Sequence, residues 1–179
     1  MKNVVIISSS PRRNGNSSVM AQAFEKGAKD AGNNVQLISL KEIELNFCKG
    51  CFVCQNLKKC IINDGINDIL DIVRTADVLV FATPIYYYSI SGQLKTFLDR
   101  LNPLYTIGHN FKEIYLLAAA ADNDDSSVDG AKKEIQGWID CFDGVKFVKT
   151  IFIGGVNELG DIQKFPLRLN EIYQVAARV

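Results

Sequence analysis

The stretch Val4–Ser18, VVIISSSPRRNGNSS, decides how the rest of the chain is read. Val4–Ser8 is a short, β-branched, nearly continuous apolar run, the pattern of a strand buried on both faces of a parallel sheet. A loop with almost nothing large or apolar follows. Met20, Ala23, Phe24, Gly27 and Ala31 then recur at helical spacing, and Gly32 closes the helix. The polar loop therefore sits where a strand hands over to a helix, whose N-terminus offers unpaired N–H groups and a partial positive charge. The hydroxyls of Ser8, Ser9, Ser10, Ser17 and Ser18, the Asn16 amide, the guanidinium groups of Arg12 and Arg13 and the flexible backbone at Gly15 read as a cradle for an anion. A polar connection without a ligand is the competing reading, and the other loops decide between the two.

Working outward, strands and helices alternate. Asn34–Leu40, Asp77–Thr83, Glu113–Ala121 and Val145–Ile153 are the further predicted strands, with DVLVFAT at 77–83 the clearest buried one. Helical stripes are predicted at Ile66–Thr75, Leu94–Leu101, Ala131–Phe142 and Leu167–Ala177, the last with Pro166 at its first position. Lys41–Asn63 shows no clear periodicity and reads as an inserted loop, and Leu104–Phe111 reads as irregular. Alternation over the whole length argues for one α/β domain, residues 1–179, with right-handed crossovers and helices on both faces of a parallel sheet. Five strands fit the flavodoxin-like order 2-1-3-4-5, a three-layer sandwich. Ligands of such sheets lie beyond the carboxyl ends of the strands, near the first and third. The loops Ser8–Ser18, Leu40–Asn63, Pro84–Gly92 and Asp122–Ser127 all fall on that edge, and these are the four with unusual chemistry. That coincidence favours the anion cradle.

Composition narrows the field. The chain has 179 residues, 47% of them apolar, enough for a sizeable core. Lys and Arg together number 20, as do Asp and Glu, so the broad electrostatic case for nucleic acid or an anionic membrane is removed and any anion site must be local. The N-terminal apolar run is too short for a secretory leader and no run approaches membrane-spanning length, so a cytoplasmic protein is expected. Five cysteines, four of them crowded into 48–60, do not resemble a secreted disulfide framework.

Two nucleotide signatures are missing: G-x-x-x-x-G-K-[ST], which disfavours a Walker-type hydrolase, and G-x-G-x-x-G after the first strand. The cradle suits a single terminal phosphate. Opposite it, Pro84, Ile85, Tyr86, Tyr87, Tyr88 and Ser89 combine flat amphipathic rings with backbone donors, a lining for a planar heteroaromatic ring, although at least one tyrosine is expected merely to cover the core. His109 stands alone, which excludes sites needing two histidines; it is expected in a loop near the active site or at a subunit contact. Lys95 and Arg100 are expected on a solvated helix face, Asp122–Asp125 as solvated residues or a helix cap, and Cys141 as an inert core thiol.

The two motifs SSSPRRNGNSS and ADVLVFATPIYYYSISGQLKTFLDR, in this order, resemble the NAD(P)H-dependent FMN reductase group of flavodoxin-like proteins, over roughly Val4–Arg100. The resemblance implies FMN as cofactor, its phosphate held by Ser10, Arg12, Asn16, Ser17 and Ser18 within the cradle that Ser8 opens. It implies an isoalloxazine flanked by Pro84, Ile85, Tyr86, Tyr87 and Ser89, with Ala120 and its neighbours Ala119 and Ala121 as small residues beside the flavin. The run Asp122–Asp125 departs from the Gly-rich loop expected there. The implied activity takes hydride from NADH or NADPH and reduces a quinone, a free flavin or another acceptor, in a homodimer or homotetramer. No catalytic acid or base is required, because FMN carries the chemistry.

Cys48-x2-Cys51-x2-Cys54-x5-Cys60 leaves a fork open. The spacing suits a [4Fe–4S] cluster and resembles the iron–sulfur flavoproteins, which would place the flavin in an electron relay with redox-protein donors. Metal-free thiols and a zinc site remain as alternatives. A flavodoxin-type carrier without nicotinamide turnover is the third functional reading, against which the neutral charge leans.

Overall fold

The computed structural model describes residues 1–179. Five parallel strands, β1 (Asn3–Ser8), β2 (Asn34–Ser39), β3 (Val78–Pro84), β4 (Glu113–Ala119) and β5 (Lys146–Ile153), form one sheet in the order β2-β1-β3-β4-β5, as the sequence predicts. Alternate side chains of the central strands leave on opposite faces, and both faces are covered. Val4 and Ile6 of β1 and Val78 and Val80 of β3 pack with Met20, Phe24 and Ala28 of α1 (Asn16–Asp30) and with Ile172 and Ala176 of α7 (Pro166–Ala176). Val5, Ile7, Leu79 and Phe81 face the larger apolar layer, which is built by α3 (Ile66–Thr75), α4 (Gly92–Arg100) and α6 (Asp129–Ile139). Burying each such Ile, Leu or Phe contributes about 1.5–3 kcal/mol, so the two layers carry most of the fold's stability.

The structure corrects several sequence expectations. Lys41–Asn63 is not featureless: after a 3-10 turn at Leu40–Glu42 it contains α2 (Val53–Leu57), bounded by left-handed Phe52 and Lys58. Five residues are too few to show a periodicity. Leu104–Phe111 likewise contains α5 (Leu104–Ile107). β4 ends at Ala119, two residues early, because Ala120 and Val156 turn toward each other at the sheet edge through a Val156 N to Ala120 O bond. Cys141 is exposed, since α6 ends at Ile139 and it is Phe142 in the following turn that is buried.

Arg100 is the largest departure. Expected on a solvated face, its side chain is wholly buried, because the cysteine loop folds over the end of α4 and delivers Asp64 to it. His109 precedes β4 and so lies at the amino edge of the sheet, away from the ligand-binding edge; it stacks on Phe111 at 4.2 Å between ring centroids. Burial lowers its pKa below the ordinary value.

Candidate functional site

At the carboxyl edge, β1 delivers Ser8, Ser9 and Ser10 and α1 begins one short loop later. Gly15 holds the N-cap position in an extended conformation, and helical bonding starts with Val19 N donating to Gly15 O, so the amides of Asn16, Ser17 and Ser18 fall in the unpaired first turn. A Cβ on Gly15 would stand 2.3 Å from Ser10 Oγ, so a larger residue here would displace the Ser10 hydroxyl. Ser10 Oγ itself accepts from Arg12 N and donates to Arg12 O, closing the loop on itself. Ser8 Oγ pairs with Ser18 Oγ at 3.1 Å. Ser17 Oγ is buried and has no hydrogen-bond partner. An orphaned hydroxyl at the first turn of a helix costs free energy unless something binds there.

A second wall comes from β3. Ser9 Oγ donates to Ala82 O and receives a bond from Ser91 Oγ at 2.9 Å, while Ser91 N donates to Thr83 Oγ1. Ser91 also caps α4 by accepting from Leu94 N. This chain of hydroxyls ties the first loop to the loop after β3. Between them opens a cleft lined by Ser10, Arg12, Asn16, Ser17, Pro84, Ile85, Tyr86 and Ala119–Ala121, with a cavity volume of about 140 Å³. The predicted loops therefore do converge. Pro84 is the last residue of β3, paired with Ala119, and Ile85 N donates to Ala119 O, which sets Ile85 and the alanines side by side.

Not every predicted residue points into the cleft. Asn16 spends both ends of its amide on the loop after β5, donating to Glu158 O and accepting from Ile162 N. The Arg12 guanidinium donates to Asn157 O at 2.7 Å and remains exposed. Ser89 Oγ donates to Glu134 Oε2, and Tyr87 is fully exposed and not part of the lining. The sequence reading missed Val156 and Asn157, which complete the cleft from the loop after β5. The only available signal was position, because that loop also leaves a carboxyl strand end. On the opposite rim, Asp124 caps the 3-10 turn Asp125–Val128 by accepting from Ser126 N. Asp122 lies below the ordinary carboxylate range, chiefly through the bond that Asp124 N donates to it.

The cysteines stand elsewhere. Their loop leaves the carboxyl edge after β2 but runs down α4, and Cys48, Cys51, Cys54 and Cys60 ring a hollow completed by Asp99, Arg100, Asn102 and Pro103 at the helix's far end. Nine residues of helix separate that end from the cleft side, about 13 Å at 1.5 Å per residue. All five cysteines are free; Cys48 and Cys51 are exposed, Cys54 is buried and Cys60 lies between. Burial pushes the Cys54 thiol above its ordinary value against the Asn102 amide, which donates to its Sγ. Arg100 is the hub. It donates to Cys60 Sγ at 3.3 Å, to both Asp64 oxygens at 2.7 and 2.9 Å and to Asn46 O, so one guanidinium staples the start and end of the loop. Its Nε is buried without a partner. Burial pushes the Asp64 carboxyl up, but Arg100 and the amides of Asn46 and Ile66 outweigh it and hold the pKa at about 2. The hollow measures only about 20 Å³, and no three thiols converge closely enough to hold a metal ion in this conformation.

An iron-sulfur flavoprotein of Archaeoglobus fulgidus is 34% identical over 103 residues, which is 58% of this chain and 46% of that one. Iron-sulfur flavoprotein MJ1083 of Methanocaldococcus jannaschii is 37% identical over 101 residues, 56% of this chain and 52% of its own. The chain thus spans about half the length of these curated relatives. An azoreductase structure from Bacillus anthracis superposes with a TM-score of 0.76 at 22% identity, covering 100% of both chains, which shows the shared flavodoxin-like fold. Residues 2–134 match the family model described as NADPH-dependent FMN reductase, and the chain belongs to that family.

Proposed function

We propose that the chain is an FMN-dependent oxidoreductase that oxidises NADH or NADPH and reduces a small planar acceptor such as a quinone or a free flavin. The observation that carries this reading is the cleft's unfinished polarity: Ser17 Oγ is buried without a partner at the first turn of α1, where a phosphate would complete it. The residues fit FMN. Ser10, Ser17 and the first-turn amides of α1 would hold the phosphate, Arg12 adds positive charge at the rim, and the flat wall of Ile85, Tyr86 and Ala119–Ala121 would seat the ring. When bound, FMN supplies a ring that takes two electrons and a proton equivalent from NAD(P)H and releases them to the acceptor. The protein binds and orients; the hydroxyl chain Ser9–Ser91–Thr83 keeps the two walls in register. Overall, one NAD(P)H and one proton reduce one two-electron acceptor.

A second reading has its own observation. Four reduced thiols ring one hollow and two of them already receive side-chain donors, the kind of bonding that cluster sulfurs accept. Cys48, Cys51, Cys54 and Cys60 would hold a [4Fe–4S] cluster after the loop opens, making the protein a relay between flavin and a redox partner. Anaerobic purification with flavin and iron quantified, followed by addition of NADH and then NADPH, tests both. One FMN per chain, bleached by a nicotinamide, supports the reductase. Flavin that neither nucleotide bleaches overturns it in favour of a carrier. About four irons per chain supports the relay, and iron-free anaerobic protein contradicts it.

A further inference from the structure

Three hydrogen bonds tie the loop after β5, residues 154–164, to the cradle across 142 to 146 residues of sequence. Arg12 Nη1 donates to Asn157 O at 2.7 Å, Asn16 Nδ2 donates to Glu158 O at 3.0 Å, and Ile162 N donates to Asn16 Oδ1 at 3.2 Å. Apolar burial seats the loop as well, because Val156 and Ile162 belong to the layer of Met20 and Phe24. On its other side Val156 N donates to Ala120 O at 2.9 Å and Gly155 N to Asp122 O at 3.3 Å, and a Cβ on Gly154 would stand 2.5 Å from Asp122 O. The loop is therefore fixed from both sides, and its Asn157 lines the cleft together with Arg12.

Asp161 organises the loop from within. Its Oδ2 accepts from Asn157 N at 3.0 Å and from Glu158 N at 2.7 Å, and its Oδ1 accepts from Lys164 Nζ at 2.7 Å. With both amides committed to one carboxylate, residues 157 and 158 present their carbonyls to the cradle, where Arg12 and Asn16 meet them. Arg12 is exposed, and an exposed arginine ordinarily samples many rotamers that binding must freeze. Here one N–H of its guanidinium is already fixed on Asn157 O, and the rest of the planar fork remains for an oxyanion. Asn16 is buried and commits both ends of its amide to the loop.

We propose that Asn16 and Asp161 are positioning residues: through the loop after β5 they hold the Arg12 guanidinium at the rim of the cradle, pre-oriented to clamp the phosphate of the cofactor. The inference rests on the FMN reading of the cleft and deepens it. The resemblance alone implies Asn16 as a phosphate ligand, whereas the hydrogen bonds give its side chain to the loop. Preference for a phosphorylated flavin then depends on Asp161, a residue that does not line the cleft.

Fluorescence titration of the flavin-free, full-length chain with FMN and with riboflavin reads the phosphate's share as the ratio of the two affinities. Arg12→Ala should lower that ratio about tenfold, and Asp161→Ala and Asn16→Ala about fivefold each, with riboflavin affinity held within about twofold. Either loop variant combined with Arg12→Ala should lose no more than Arg12→Ala alone, because all three act through one guanidinium. Asp161→Asn keeps an oxygen for the two amides and should recover most of the ratio. An unmoved ratio in Asp161→Ala overturns the proposal, and so does a loss in Asn16→Ala that multiplies with that of Arg12→Ala, the mark of direct phosphate contact. Equal weakening of both flavins also overturns it, because the loop then acts as a general wall. Asp161 is a partly exposed loop side chain, so its variant carries the test where Asn16→Ala fails to fold. A wild-type chain without preference for FMN brings down the underlying reading, whereas a wild type that prefers FMN beside an unmoved Asp161→Ala brings down this proposal alone.

Discussion

The cleft proposed to bind flavin and the cysteine hollow are held together by opposite strategies. Around the cleft, neutral hydroxyls and amides form a continuous network, and the buried Ser17 Oγ at the first turn of α1 has no partner within the protein. Around the hollow, one buried ion pair, Arg100 with Asp64, anchors both ends of a loop whose thiols stay dispersed between exposed and buried positions. The first site is preformed. The second is anchored and lacks its shape. A preformed cleft binds with little reorganisation, whereas a collapsed hollow must open, so the structure supports the flavin more strongly than the cluster.

The comparison can be broken most severely at its ion pair. Arg100→Leu leaves the Asp64 carboxylate buried and unpaired, and should destabilise the protein by about 3–5 kcal/mol in equilibrium denaturation. A loss under about 1 kcal/mol would mean the loop is not anchored there. The same pair sets an acid limit. Asp64 has a folded-state pKa of about 2 against an ordinary 3.8, so its contribution is in place above pH 4 and is lost as pH falls toward 2. That loss amounts to about 2 kcal/mol, read as a falling denaturation midpoint that is missing from Arg100→Leu.

At the cleft the expected effects are smaller and crossed in sign. Ser17→Ala removes a buried hydroxyl that has no partner, so the FMN-free protein should keep or gain stability while FMN binds about tenfold more weakly, a difference of about 1.4 kcal/mol. Stability and affinity falling together would show that Ser17 is structural. The mildest test is chemical. Cys48, Cys51 and Cys141 should react quickly with a thiol reagent and Cys54 slowly, since burial both shields it and disfavours its thiolate. Cys141→Ser should change stability by less than about 0.5 kcal/mol.

What the sequence made legible follows from the range of each signal. Strands β1 and β3 announce themselves through consecutive apolar residues, and α3 through Ile66, Ile69, Leu70 and Val73, because each pattern is local. The cradle was readable for the same reason: its serines, Asn16 and Gly15 sit within eleven residues of one another. Arg100 was misread because Leu94, Phe97, Leu98 and Leu101 define one buried helical face that excludes it. What buries it instead is a loop whose Asp64 lies 36 residues earlier. Glu134 and Ser89 are separated by 45 residues, and Arg12 and Asn157 by 145, distances over which periodicity carries no information. Asn16 shows the limit from the other side: its residue type suits a phosphate, yet its amide is committed to the loop after β5.

The central claim is that the cleft between Ser17 and Tyr86 is a phosphate-anchored flavin site. Fluorescence titration of the flavin-free protein with FMN and with riboflavin, which lacks only the phosphate, tests it directly. FMN should bind at least about 100-fold more tightly, the worth of two or so charge-assisted hydrogen bonds. Equal affinity for the two, or binding of neither, would contradict it.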